Sequence, residues 1–267
     1  MSAVAQAFSR AREENRAALV GYLPAGYPDL ATSIRLIEAM VAAGVDVVEV
    51  GLPYSDPLMD GPVIAQAADR ALSQGTTTDD VLEVAAASAR TGAATVVMSY
   101  WNPIERFGLD RFADRLAAVG GSGVITPDLT PEEADAWQAS TDARSLDRIF
   151  LVAPSSTPER IATVVSACSG FVYAASLMGV TGTRDSVSGD AESLVARVRA
   201  ETNMPVAVGL GVSHGDQAAS IAGFADGVIV GSAFVRAVAQ APDNDAAVEA
   251  VGALAAELAA GVRRRSE

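Results

Sequence analysis

The chain has 267 residues, half of them apolar, and its 19 basic and 33 acidic side chains give a net charge of −14. Every basic residue is arginine, and there is one histidine (His214) and one cysteine (Cys168). Those counts exclude a lysine imine, a phosphate-loop lysine, a lysine anchor for pyridoxal phosphate, a His/Cys zinc site and an internal disulfide. The acidic balance argues against nucleic acid as a partner.

Short β-branched runs alternate with alanine-rich segments of helical period. In chain order the pattern predicts a helix over about 3–16, a strand over 18–23, a helix over 30–43, a strand over 45–51 and a helix over 78–91. A strand over 95–99, a helix over 109–119, a strand over 123–126, a helix over 131–140 and a strand over 148–152 come next. The last part predicts a helix over 158–167, a strand over 170–174, a helix over 190–201, strands over 205–209 and 227–230, and a closing helix over 246–260. Eight strand–helix units without a linker point to one domain over 1–267, an α/β fold of the (β/α)8 TIM-barrel type with an extra N-terminal helix. An open doubly wound sheet is the rival, but its dinucleotide fingerprint fails, because Gly209-Leu210-Gly211 meets Gly215 one position too late. No run of about 18 apolar residues predicts a membrane span, and residues 1–16 lack an apolar signal core, so a cytoplasmic enzyme is expected. Arg263-Arg264-Arg265 reads as a helix end that favours cations.

Barrel enzymes work at the C-terminal ends of their strands. Alternation puts Val45, Val47, Glu49 and Gly51 on one face of the second strand, so Glu49 falls inside a run buried on both faces. A carboxyl there either meets an arginine or titrates high, and a high value suits a general acid/base. The segment after it, 52–62, holds three prolines, Gly61 and two carboxylates, Asp56 and Asp60; spacing alone prefers neither, and Asp60 could be a cap. Three small-residue clusters end late strands: Gly179 to Thr183, Gly209 to Ser213 and Gly231-Ser232-Ala233. Together they read as a phosphate cradle of backbone N–H groups. Tyr100 and Tyr173 could be core residues or reach the site. Met98, Ile125 and Leu151 could fill the barrel or line a pocket. His214 reads as a helix-start residue and Cys168 as packing.

The runs Val48 to Pro62 and Ser176 to Gly182 closely resemble the tryptophan synthase alpha chain family. Gly21 to Pro28, Met98 to Pro103, Pro127-Asp128-Leu129 and Gly209-Leu210-Gly211 support the likeness, which extends from about Phe8 to Ala256. Tyr22 stands where phenylalanine is common, and Pro127 and Thr130 also depart from the pattern. The resemblance implies a lyase that splits indole-3-glycerol phosphate by retro-aldol cleavage into indole and glyceraldehyde 3-phosphate. It puts the acid/base on Glu49, the group facing the indole nitrogen on Asp60 and an active-site tyrosine on Tyr173. Phosphate contacts fall on Gly182, Gly211, Gly231 and Ser232. Tyr22, Met98, Tyr100, Ile125, Leu151 and Thr181 are the pocket and loop positions, with loop 179–189 closing against loop 53–60. It implies no cofactor and no metal in this chain. The expected partner is a beta chain carrying pyridoxal phosphate, in an alpha-beta-beta-alpha heterotetramer that it contacts through Pro53, Asp56 and Pro57. A stand-alone indole-releasing lyase and a silent subunit that only binds a phosphorylated ligand are the alternatives.

Overall fold

The computed structural model describes residues 1–175 and 184–264, with the backbone alone over 184–188. The strands are β1 (Ala18–Pro24), β2 (Val47–Gly51), β3 (Ala94–Met98), β4 (Gly123–Ile125), β5 (Asp147–Ile149), β6 (Leu151–Val152), β7 (Val172–Ala175), β8 (Val206–Gly209) and β9 (Gly227–Val230). All pair in parallel, in the order β5-β4-β3-β2-β1-β9-β8-β7-β6. The two ends of that order, β5 and β6, are separated only by Phe150, so the sheet closes into an eight-stranded barrel whose fifth strand is interrupted. At the break the Phe150 N–H turns to Cys168 Sγ (3.3 Å), while its carbonyl accepts from the Tyr173 N–H (3.2 Å).

A parallel barrel buries both faces of every strand, and the strands accordingly read as Val, Ile, Ala and Leu with little polar interruption. Alternate residues divide into two packed layers. Val20, Val47, Val96, Ile125, Ile149, Ala207 and Ile229 fill the inside. Leu19, Val48, Val50, Val97, Val124, Val208 and Val228 face the helices.

The N-terminal helix, α1 (Ala3–Glu13), belongs to the inner layer. Its Val4, Ala7, Phe8 and Ala11 recur at helical spacing, and Phe8 lies 5.3 Å from Phe171 between ring centroids. It therefore plugs the end of the barrel opposite the strand C-termini. The helix stops short of the expected residue 16: Asn15 takes a left-handed φ of 53°, and Arg16 swings inward to grip Asp46 at 2.6 and 2.8 Å.

The outer helices follow the predicted periods closely at α2 (Leu30–Ala42), α4 (Thr78–Arg90), α6 (Leu109–Ala118) and α8 (Pro158–Ala167). Four others were not delimited from the pattern: α3 (Pro62–Ser73), α5 (Trp101–Phe107), α10 (Gly215–Ala222) and α11 (Ser232–Gln240). The helix expected over 131–140 is split into a 3-10 turn, Pro131–Glu133, and α7 (Asp135–Asp142), because Ala134 leaves the helical region at φ −95°, ψ 3°. α9 (Arg184–Glu201) starts six residues before the predicted 190, so part of the expected loop 179–189 is helical. Its Gly/Ser-rich composition is only a weak prior against a helix. α12 (Asn244–Val262) packs against α2, α10 and α11 and completes the outer ring.

The basic C-terminus is tied down as far as Arg264. Arg263 pairs with Glu14 at 3.0 Å and Arg264 with Asp216 at 2.7 Å. Arg265 lies outside the described residues. Among those described, no helix is long and apolar enough to cross a membrane.

Candidate active site

Glu49 shares a face of β2 with Val47, as alternation groups them, and the structure turns that face inward, level with Tyr22 on β1 and Val96 on β3. Its residue surface is 1% exposed, and its Oε1 has no hydrogen-bond partner among the described residues. Among the described residues no arginine pairs with it, so the ion-pair reading finds no support there. Burial alone pushes its carboxyl from the usual 4.5 to about 8, because an isolated charge loses its hydration and gains nothing in return.

The segment after β2 runs without regular structure to Gly61, the residue that caps α3 ahead of Pro62. Asp60 makes no capping bond. Its half-buried carboxyl lines the same cavity as Glu49. Burial pushes Asp60 upward as well, against a lowering hydrogen bond from Tyr100. The two carboxyls are thus displaced in the same direction rather than opposite ones. Asp56, its rival from the sequence, is exposed and accepts from the Ser55 hydroxyl at 2.6 Å. Tyr100 pins the loop: its hydroxyl accepts from the Met59 N–H at 2.9 Å, and its ring lies 5.3 Å from that of Tyr54.

The cavity measures about 540 Å3 and opens at the C-terminal ends of the strands. Tyr22, Met98, Leu151 and Tyr173 line it beside the two carboxyls. Burial and the facing carboxylates hold the Tyr22 and Tyr173 phenols far above their ordinary value, so both stay protonated. These rings fit because the neighbouring strand ends are glycine. A Cβ on Gly51 would lie 2.5 Å from the Tyr22 hydroxyl, and one on Gly209 would lie 2.8 Å from that of Tyr173.

Gly209, Gly211, Gly231 and Ser232 form another part of the cavity wall. Gly211 adopts φ 66°, a left-handed conformation that L side chains resist. Ser232 begins α11, and no side chain caps that helix. Its first N–H groups and the positive end of its dipole are left to serve an anion from the cavity.

Two expected pocket residues lie elsewhere. Ile125 is wholly buried in the inner layer below the cavity, and Tyr100 sits behind Asp60 rather than on the cavity wall. Thr181 and Gly182 lie outside the described residues. The pattern missed Met59, Val63, Ile64, Ile229 and Arg236, which also line the cavity. Val63 and Ile64 belong to α3, whose Gly61-Pro62 start was the available signal. His214 caps α10 without a side-chain bond. Cys168 is buried and its thiol is pushed up to about 12, a packing residue. Among the described residues no three His, Cys, Asp or Glu side chains gather to hold a metal ion.

Comparison with known proteins adds a family match. The tryptophan synthase alpha chain family profile covers residues 8–263. The tryptophan synthase alpha chain of Thermobifida fusca is 62% identical over 266 residues, 98% of each chain. That of Acidothermus cellulolyticus is 61% identical over 99% of this chain and 98% of its own. Among solved structures, tryptophan synthase from M. tuberculosis superposes with a TM-score of 0.91 at 52% identity, covering 98% of this chain and 99% of that one. Tryptophan synthase subunit alpha from Legionella pneumophila gives 0.90 at 30% identity over 98% of each.

Proposed function

The chain belongs to the tryptophan synthase alpha chain family, and from that membership we propose that Glu49 and Asp60 carry out its reaction here. The reaction is the cleavage of indole-3-glycerol phosphate, a lyase step of tryptophan biosynthesis. The family uses no cofactor for this step; the pyridoxal phosphate of tryptophan synthase resides in the beta chain.

A retro-aldol cleavage needs an electron sink, and this chain has no lysine with which to make one. The substrate's own indole ring serves. Protonation at ring C3 makes a cation, and when the carbon–carbon bond breaks its electron pair returns to the ring. Glu49 begins as the acid: with its proton held to about pH 8, it arrives loaded at neutrality. It gives that proton to C3, then takes one from the glycerol hydroxyl as the aldehyde forms, ending as it began. Asp60, lining the same cavity, accepts from the indole N–H as its carboxylate and stabilises the cationic ring. Tyr173 packs beside the reacting carbon chain. Gly211, Gly231 and Ser232 hold the phosphate through backbone N–H groups, and Gly182 joins them by family position. Thr181, by the same position, links loop 179–189 to the Asp60 side of the site.

The observation that carries this reading is an unpaired, fully buried carboxyl lining the same cavity as a second one. Its test is indole release. Glu49→Gln should lose nearly all turnover while still binding substrate, and activity within tenfold of wild type refutes the assignment. Asp60→Asn should lose about 10²–10³, the scale of one charge-stabilising group; an unchanged rate removes Asp60 from the mechanism.

The whole chain acts as one barrel domain in the cytoplasm, paired with a beta chain in an alpha-beta-beta-alpha assembly. Loop 53–60 supports the partner assignment, since Leu58 (86% exposed) and Met59 (44%) present apolar surface there beside the exposed Asp56 and the partly exposed Pro57, whereas Pro53 is buried and drops out of the expected contact. Indole release measured with and without a beta chain tests it, and a stand-alone lyase gains nothing from the addition.

A further inference from the structure

We propose that Arg236 is a phosphate-binding residue, the side-chain cation that draws the substrate dianion into a cavity otherwise lined by two acids. This rests on the reading that Gly211, Gly231 and Ser232 cradle the phosphate. Arg236 is the one basic side chain among the described residues lining the cavity, where the acidic side chains are Glu49 and Asp60. It lies on α11 four residues after Ser232, one turn along the same helix face. Long helical side chains lean back toward the helix N-terminus, so the arginine stem covers the turn that carries the Ser232 N–H. Its residue is partly exposed, and among the described residues no carboxylate is paired with it.

The charge problem makes the residue matter. A molecule with net charge −14 must admit a dianion to a site already holding two carboxyls. Backbone N–H groups supply direction but only partial charge. A guanidinium beside them adds a full charge and a planar fork of donors that suits phosphate oxygens. Arg236 also lines a neighbouring cavity of about 280 Å3 together with Arg70, whose guanidinium stands over the Tyr27 ring at 5.8 Å.

The test uses the full chain and two probes, glycerol 3-phosphate and indole, which share the site but differ in charge. Arg236→Gln should weaken glycerol 3-phosphate about tenfold, the scale of one partly exposed charge-assisted contact, and leave indole binding unchanged. KM for indole-3-glycerol phosphate should rise by a similar factor while kcat moves much less. Arg236→Lys should restore most of the loss, and the ionic-strength dependence of phosphate binding should flatten in the glutamine variant alone. Arg90→Gln, at the far end of the barrel, controls for net charge and should match wild type. If Ser232→Pro, which removes the backbone N–H at the first position of α11, weakens glycerol 3-phosphate and Arg236→Gln does not, the proposal falls and the cradle stands. If neither variant matters, the cradle itself is misplaced and the proposal falls with it. Equal weakening of both probes makes Arg236 a structural residue and overturns the proposal.

Discussion

Replacing Glu49 with glutamine should make stability less sensitive to pH, apart from any effect on turnover. In the folded chain the Glu49 carboxyl titrates near 8, against 4.5 in an exposed chain. Between those values the folded state holds a proton that the unfolded state has released. The unfolded state therefore binds fewer protons, and stability falls as pH rises across that window. Each tenfold displacement of a protonation equilibrium corresponds to about 1.4 kcal/mol, so the full window is worth about 5 kcal/mol as an upper limit. Water entering the open cavity screens part of it. Glutamine keeps the shape of the neutral acid and cannot ionise. The stability of Glu49→Gln minus that of wild type should accordingly grow by about 1 kcal/mol or more per pH unit from pH 5 to 8, then level off. Paired urea melts at pH 5, 6, 7 and 8 read this difference directly. A gap that stays constant over that range means Glu49 titrates normally, and the acid role fails with it.

Three further outcomes follow from the same structure. The pH profile of kcat/KM should fall above about pH 8, where Glu49 loses the proton it must donate, and a flat profile to pH 9 contradicts that. Gly209→Ala drives a Cβ to 2.8 Å from the Tyr173 hydroxyl, so overpacking should cost about 1–3 kcal/mol and displace the ring, lowering kcat/KM in a turnover assay. Asp46→Asn strips the buried Arg16 of its two-bonded carboxylate, held at 2.6 and 2.8 Å. That loss should cost about 3 kcal/mol, with Glu14 still holding Nε, and a thermal melt will show whether the midpoint drops.

The barrel was legible because its signal is local and repeated. Each strand is buried on both faces and each long helix carries an apolar stripe, so periods of 2 and 3.6 recur along the chain. The same alternation put Glu49 inside a run buried on both faces. Short helices were harder: α5 and α10 offer too few turns for a stripe to stand out. The interruption at Phe150 was invisible, since the ladder breaks there through a partner, Cys168, that is 18 residues away.

Loop 52–61 marks where local pattern stops deciding. It has no period, so Asp56 and Asp60 were equivalent in the sequence; a tyrosine 41 residues on, holding the Met59 N–H, sets the loop against the barrel mouth. Arg236 shows the same division, being an ordinary helix residue until α11 is laid along the cavity. By itself the sequence determined the barrel and the buried carboxyl within its second strand, because backbone geometry alone ties those to residue spacing. Spacing left the second acid open and the family resemblance named Asp60; the face on which Glu49 lies and the cation beside it only the tertiary structure decided, because each depends on contacts between segments whose meeting no spacing records.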